Sequence, residues 1–396
     1  MNISRAIAAI TLALLSTLCA AQPGLKMNAA AQALVDEGNV LGARGNLQEA
    51  LNKFSQANKA DPTSSVPLSL IAEVLYQAAR QAQGEQQAKL RQQAEALVNQ
   101  ILQKYPDEPL AHEVQRKLRE DQPPPLHTAN RAALAEMNLG EVAFAKQKFD
   151  DALLHYERAA GLDPQLSMAW IYAGDCFYAQ KKYTEAETRY RKGVETEPLN
   201  AQGWRYLSDA LAYQGKRSAA EDALFSGIAA QPSQIPSWIK LSHLRDAAGY
   251  PLTSLNLVRK SSASMGADGN AKVNIDPEYS DASKSAEGSL WLLLGLKQAN
   301  DMMAQKEGKG DANTLAAETA RWRMGFKVVD EAIAKGEPGL QTPALKTLQM
   351  LENDGELETA LLLLTYRESW RPALEAWKRD NPQGIRKFVD KYALRP

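Results

Sequence analysis

The chain has 396 residues, with 46 lysines and arginines against 47 aspartates and glutamates and a formal net charge of −1. That balance does not favour a general attraction to nucleic acid or to an anionic membrane surface. The length exceeds the roughly 250–300 residues that one hydrophobic core fills, and two cysteines, Cys19 and Cys176, cannot build a disulfide framework.

The chain opens with one basic residue, Arg5, then an almost unbroken apolar run from Ala6 to Leu18, then Ala20 and Ala21 before Gln22. A positive start, a short apolar stretch and small residues at a cut point form a secretory signal layout. The run spans roughly 13 residues, short of the about 20 that a membrane-crossing helix needs. Residues 1–21 are therefore expected to be removed after Ala21, which places the remaining chain in the periplasm or outside the cell. Cys19 supports a second reading, an outer-membrane lipoprotein acylated at that residue. Its flanks argue against this, because Ser16 stands where lipoprotein signals carry a large aliphatic residue and Leu18 where they carry a small one.

Between residues 22 and 119 the apolar pattern is helical and falls into two units. The first, 31–64, places Leu34, Gly38, Leu41, Ala50, Phe54 and Ala57 at helical spacing and closes on Pro62. The second, 65–108, keeps Leu68, Ile71, Ala72 and Leu75, then resumes about ten residues late with Ala94, Val98, Ile101 and Pro106 after a glutamine-rich stretch. Residues 120–128 contain Pro123, Pro124 and Pro125, which hold polyproline geometry and predict a stiff connector.

From 129 to 268 the sequence repeats itself every 34 residues. The unit 133–166 carries Gly140, Ala152, Tyr156, Ala159 and Pro164, with Glu136 where the later units have tryptophan. The unit 167–200 carries Trp170, Gly174, Phe177, Ala186, Tyr190, Gly193 and Pro198; the unit 201–234 carries Trp204, Leu207, Leu211, Ala220, Leu224, Gly227 and Pro232. A last unit, 235–268, keeps Trp238, Leu241 and Val258 but has no closing proline. In each unit, positions 4, 7, 8 and 11 make one apolar helix stripe and positions 20, 24 and 27 a second. The proline at position 32 ends the second helix because it lacks an N–H and clashes with the preceding turn.

This order of large residue, Ala or Gly, second-helix Ala, aromatic and closing proline resembles the tetratricopeptide repeat, over roughly half of the chain. The resemblance implies an all-α solenoid of helical hairpins, each completed by its neighbours, that works as a non-catalytic binder of other proteins. It assigns the repeat residues named above, including the tryptophans at position 4, to packing. It also implies that positions 2, 5, 9, 12 and 13 of the first helices line an inner groove. Read that way, the candidate partner-binding residues are Met137, Glu141 and Phe144; Ile171, Asp175 and Tyr178; Arg205, Asp209 and Tyr213; and His243. Position 9 then forms an acidic ladder of Glu141, Asp175 and Asp209 among apolar and aromatic groups. The basic clamp with which chaperone-binding members of the family hold a terminal carboxylate is missing. The expected occupant is an extended or helical segment of another exported protein, with basic residues meeting the ladder.

Residues 269–285 are rich in Ser, Gly, Asp and Asn and predict a polar linker, within a loop-like stretch that begins at Ser261. Val273 and Tyr279 stand where a calcium loop needs glycine and glutamate, which excludes that reading. Residues 286–396 are again helical by pattern. Trp370, Leu374, Trp377 and Pro382 echo the repeat, and 384–392 is expected as a capping helix that turns Ile385, Phe388, Val389 and Tyr392 inward.

The histidines, His112, His127, His155 and His243, have no cysteine or carboxylate at metal-ligand spacing. No phosphate loop, dinucleotide fingerprint, nucleophile elbow or haem-attachment motif occurs, so neither cofactor nor metal is expected. Membrane contact is expected only through a lipid on Cys19.

Overall fold

A computed structural model describes residues 27–43, 45–82, 84–105, 108–118, 127–265, 269–279 and 285–396. The expected signal segment 1–21, Cys19 and most of the 120–128 connector lie outside the described residues. The chain divides into two compact units, 1–244 and 245–396.

The first unit is a run of antiparallel helical hairpins. Helices α1 (Ala29–Ala43) and α2 (Leu47–Ala60) pair, as do α3 (Val66–Gln81) and α4 (Gly84–Lys104), with α5 (Pro109–Leu118) against both members of the second pair. Then α6 (Arg131–Ala145) pairs with α7 (Phe149–Leu162), α8 (Ser167–Ala179) with α9 (Tyr183–Thr196), and α10 (Ala201–Tyr213) with α11 (Arg217–Ala230). The last helix of the run is α12 (Ile235–Asp246).

Three local rules of the repeat explain these hairpins. At position 8 only glycine fits beneath the aromatic ring of position 24. A Cβ on Gly38 would lie 2.5 Å from the Phe54 ring and one on Gly174 2.6 Å from that of Tyr190, and Gly140 meets Tyr156 in the same way. Position 20 is alanine, fully buried at Ala50, Ala152, Ala186 and Ala220, so the crossing backbones approach closely. At position 15 the turn between helices needs a left-handed residue, which is glycine at Gly45 and Gly215 but a side-chain-bearing residue at Gln147 (φ 59°) and Lys181 (φ 61°).

Each second helix ends two residues before the repeat proline, and Pro62, Pro164 and Pro198 are exposed. They therefore act on the backbone and not through packing. Position 31 then closes the hairpin: Asp61 accepts from the Asn28 backbone N–H at 2.8 Å, Asp163 from Asn130 at 2.9 Å, and Glu197 from the Ser167 hydroxyl. Trp238 is fully buried, while Trp170 and Trp204 are half-buried against the core. Glu136, the exception at position 4, pairs with His155 Nδ1 at 2.7 Å.

The unit 235–268 forms only its first helix. Pro251 cannot donate to a second one, position 20 is Ser254 in place of alanine, and Val258 is 66% exposed. Residues from Ser261 onward correct the loop reading too. Ser261–Met265 (β2) and Ala271–Ile275 (β3) pair antiparallel, Ser261 opposite Ile275. The alternating polar and small side chains look like a loop by composition, but the hairpin lies on a helix of the second unit, α13 (Ala286–Lys306), where Gly295 admits Val273 and Ser261. A short strand β1 (Thr253–Ser254) pairs in parallel with β4 (Leu394–Arg395) at the C-terminal end of the chain.

Also in the second unit, α13 packs with α14 (Leu315–Ala334) through an edge-to-face contact of Trp291 and Trp322 at 5.8 Å. Helices α15 (Pro343–Asn353) and α16 (Leu357–Leu364) follow, then α17 (Arg371–Asp380) and α18 (Gly384–Tyr392), whose Ile385, Phe388 and Val389 are buried. A buried ion network lies inside this unit. Glu318 accepts from Trp322 Nε1 at 2.8 Å and from Arg321 at 3.0 Å, and also meets Arg259; Arg321 reaches Asp301 at 2.8 Å. Although burial raises the Glu318 pKa, the surrounding arginines hold it below the usual carboxylate range.

Candidate functional site

The residues expected to face a partner separate into two groups. Met137, Glu141, Phe144, Ile171, Asp175 and Asp209 are buried. Tyr178 and Arg205 are half-buried, and Tyr213 and His243 are exposed. The cause is packing between successive hairpins. Ile171 fills the space left by two glycines, since a Cβ on Gly193 would come within 2.6 Å of it and one on Gly203 within 2.8 Å. Position 5 therefore joins helices to each other and presents nothing to a ligand at Met137 and Ile171.

Position 9 is a buried polar ladder, not a row of solvated carboxylates. Asn39, Glu73, Glu141, Asp175 and Asp209 occupy it in the five units from 31 to 234, and all are buried. Where position 24 is tyrosine, its hydroxyl serves the acid, as Tyr190 does for Asp175 at 2.6 Å. Where position 24 is an aliphatic residue, the next element supplies a lysine: Lys117 reaches Glu73 at 3.0 Å and Lys240 meets Asp209. Glu141 Oε2, Asp175 Oδ2 and Asn39 Oδ1 have no hydrogen-bond partner among the described residues.

These surroundings change the charges. Burial lifts Asp175 to about 7, against the Tyr190 hydrogen bond and the Arg205 charge, which pull it down. Burial and then the nearby Asp175 raise Glu141 well above the carboxylate range. At Glu141 and Asp175, carboxyls held this far from water and partly protonated attract basic groups weakly. Cys176, also buried, is pushed up by the same desolvation and then by Asp175, which makes it a poor thiolate.

What remains accessible is a rim where α8, α9 and α10 meet. Tyr178 lies edge-on to Tyr183 at 5.4 Å and to Tyr213 at 5.7 Å, and Tyr183 stacks on Tyr213 at 4.8 Å with 13° between the rings. Tyr213 is 59% exposed. Gln214 fixes the rim from behind by donating to the Tyr183 carbonyl at 3.1 Å and to Glu187 at 2.9 Å. Tyr183 and Gln214 were not singled out by sequence, because they sit at turn positions 17 and 14, which carry no repeat signature. Among the described residues no group of three or more His, Cys, Asp or Glu could hold a metal ion, and no helix is long and apolar enough to cross a membrane.

A family model described as Tetratricopeptide repeat matches residues 128–167, 137–192 and 173–235. No curated protein matches the sequence. Solved structures similar to this chain include the first tetratricopeptide domain of Spaghetti (RPAP3) bound to an HSP90 peptide. It is 18% identical, the match covers 32% of this chain and 99% of that one, and the TM-score is 0.29. YrrB, a tetratricopeptide protein with an unusual peptide-binding site, is 17% identical over 52% of this chain and 89% of its own, with a TM-score of 0.26. MamA from Desulfovibrio magneticus is 14% identical over 56% and 99%, with a TM-score of 0.24.

Proposed function

We propose that this chain, a tetratricopeptide-repeat protein over residues 128–235, is a non-catalytic interaction scaffold of the periplasm or extracellular space that holds a segment of another polypeptide. The observation that carries the reading is the tyrosine rim. Three interlocked rings from two consecutive repeats present a rigid, partly exposed aromatic surface. Tyrosine buries a large area on binding at little conformational cost and keeps a hydroxyl for hydrogen bonding. The groove is thereby narrowed from the whole inner stripe to Tyr178, Tyr183, Arg205, Tyr213 and His243, with the acid ladder as interior support.

The test is affinity capture from an envelope extract of the source cells with the parent chain and a Tyr178→Ala/Tyr213→Ala variant. A partner held by the parent and lost by the variant supports the rim; a partner held equally by both moves the site to another surface. Export rests on residues 1–21. The mass of the mature N-terminus separates a free Gln22 from an acylated Cys19, the tethered alternative in which the same scaffold would assist assembly of envelope proteins at the membrane.

A further inference from the structure

The tyrosine rim does not end at Tyr213. Gln214, the next residue, donates to Glu187, and Glu187 pairs with Lys216 at 2.8 Å. Lys216 and Glu187 belong to the wall of an open depression of about 530 Å³ on the side of α9. Its charged lining is Arg189, Arg191, Lys192 and Lys216 against Glu187 and Glu195; Arg189 also pairs with Glu157 at 2.6 Å, and Glu187 is shared by Arg191 and Lys216, so a net positive charge remains, centred on Lys192.

Two further features distinguish this wall from an ordinary solvated helix face. Lys192 makes no ion pair among the described residues; its ammonium lies 6.0 Å from the centre of the Trp170 ring. The indoles of Trp204 and Trp238 each donate to the carbonyl of the proline six residues earlier, at 2.9 and 2.8 Å, whereas Trp170 Nε1, a buried atom, has no acceptor among the described residues. The depression thus combines a surplus of positive charge with the exposed Lys192 ammonium. A ligand that suits it is an anion.

We infer that the depression beside Lys192 and Lys216 seats acidic side chains of the polypeptide segment that crosses the tyrosine rim. This rests on the proposed function and adds the chemistry of the partner: apolar or aromatic residues over Tyr178 and Tyr213, followed by aspartates or glutamates in the depression. Continuity through Gln214 and Glu187 and the excess of cations select an acidic polypeptide. The contacts lie at a solvated surface, so the charge contribution weakens as salt rises.

The experiment is fluorescence anisotropy on residues 22–396 with three labelled 12-residue peptides that share one apolar frame and carry glutamate, glutamine or lysine at the remaining positions. The glutamate peptide is expected to bind at least about tenfold tighter than the glutamine peptide, and to lose that advantage between about 50 and 500 mM salt. Lys192→Glu, at an exposed position of the depression, should remove the advantage without changing the melting curve, while Lys346→Glu in the second unit should not. Tyr178→Ala/Tyr213→Ala should weaken the glutamate and glutamine peptides alike. Equal binding of glutamate and glutamine peptides, tighter binding of the lysine peptide, or an unaffected Lys192→Glu variant overturns the acidic partner. If the tyrosine variant still loses the glutamine peptide, the rim survives that result. A single-stranded oligonucleotide that displaces the glutamate peptide at lower concentration overturns the inference in favour of nucleic acid, and binding of no peptide overturns both inference and rim.

Discussion

Replacing Asp175 with asparagine removes one negative charge from the middle of the ladder and keeps a side-chain oxygen for the Tyr190 hydroxyl. Asp175 is only 7% exposed, and its carboxyl sits at about 7 in the folded chain against 3.8 without the fold. Such a raised value means that the folded state holds a proton which the unfolded state releases. The associated stability is therefore fully present below pH 3.8 and is lost as pH rises to about 7. At about 1.4 kcal/mol for each tenfold change, the loss is at most about 4 kcal/mol above pH 7. The groups acting on this carboxyl are Tyr190 from α9, Arg205 and Asp209 from α10, and Glu141 from α6, which feels it in turn. Urea unfolding of parent and variant across pH 4 to 8 reads the effect together with the relief of Glu141, which the Asp175 charge also raises, while carboxylates remote from the ladder are common to both and cancel. The variant should match the parent near pH 4 and exceed it by up to about 4 kcal/mol at pH 8. A difference that stays flat with pH, or a variant less stable than the parent at pH 8, would mean that the ionised carboxylate is well served by Arg205 and that burial is not its dominant influence.

Other substitutions probe the remaining links. Gly174→Ala should cost about 1–3 kcal/mol by overpacking against Tyr190, and Tyr190→Leu in the same chain should recover part of it in thermal melts. Trp238→Ala should cost about 3–5 kcal/mol, and Trp204→Ala clearly less because its indole is half-buried; equal losses would contradict the burial difference. In the second unit, Glu318→Gln should cost about 3 kcal/mol by leaving the half-buried Arg259 without its carboxylate and the buried Arg321 with Asp301 alone. The Glu318 contribution is present above pH 4.5 and is lost as pH falls through its depressed folded value, the opposite sense to Asp175. Acid unfolding of parent and variant should therefore converge as the carboxylate is protonated.

How much of this protein can be read from its residues depends on the range of the interactions involved. The sequence by itself determined the hairpins: glycine under an aromatic ring, alanine at the crossing and proline after the second helix act within one repeat and recur at one spacing. Those signals mark Gly140, Tyr156, Gly174 and Tyr190 as packing positions, and the structure shows that each ring lies over its glycine. They fail at 235–268, where the first helix keeps its tryptophan but position 20 is serine in place of alanine, and Ser261–Met265 and Ala271–Ile275 pair as strands on α13 instead. Only the tertiary structure decided which polar residues meet water. Position 9 has the composition of a solvated acidic face, yet stacking of successive hairpins closes over Glu141 and Asp175 and leaves Tyr178, Tyr183 and Tyr213 at the rim. The reason is that burial at these positions is set by how one repeat packs on the next, and no single 34-residue unit encodes it.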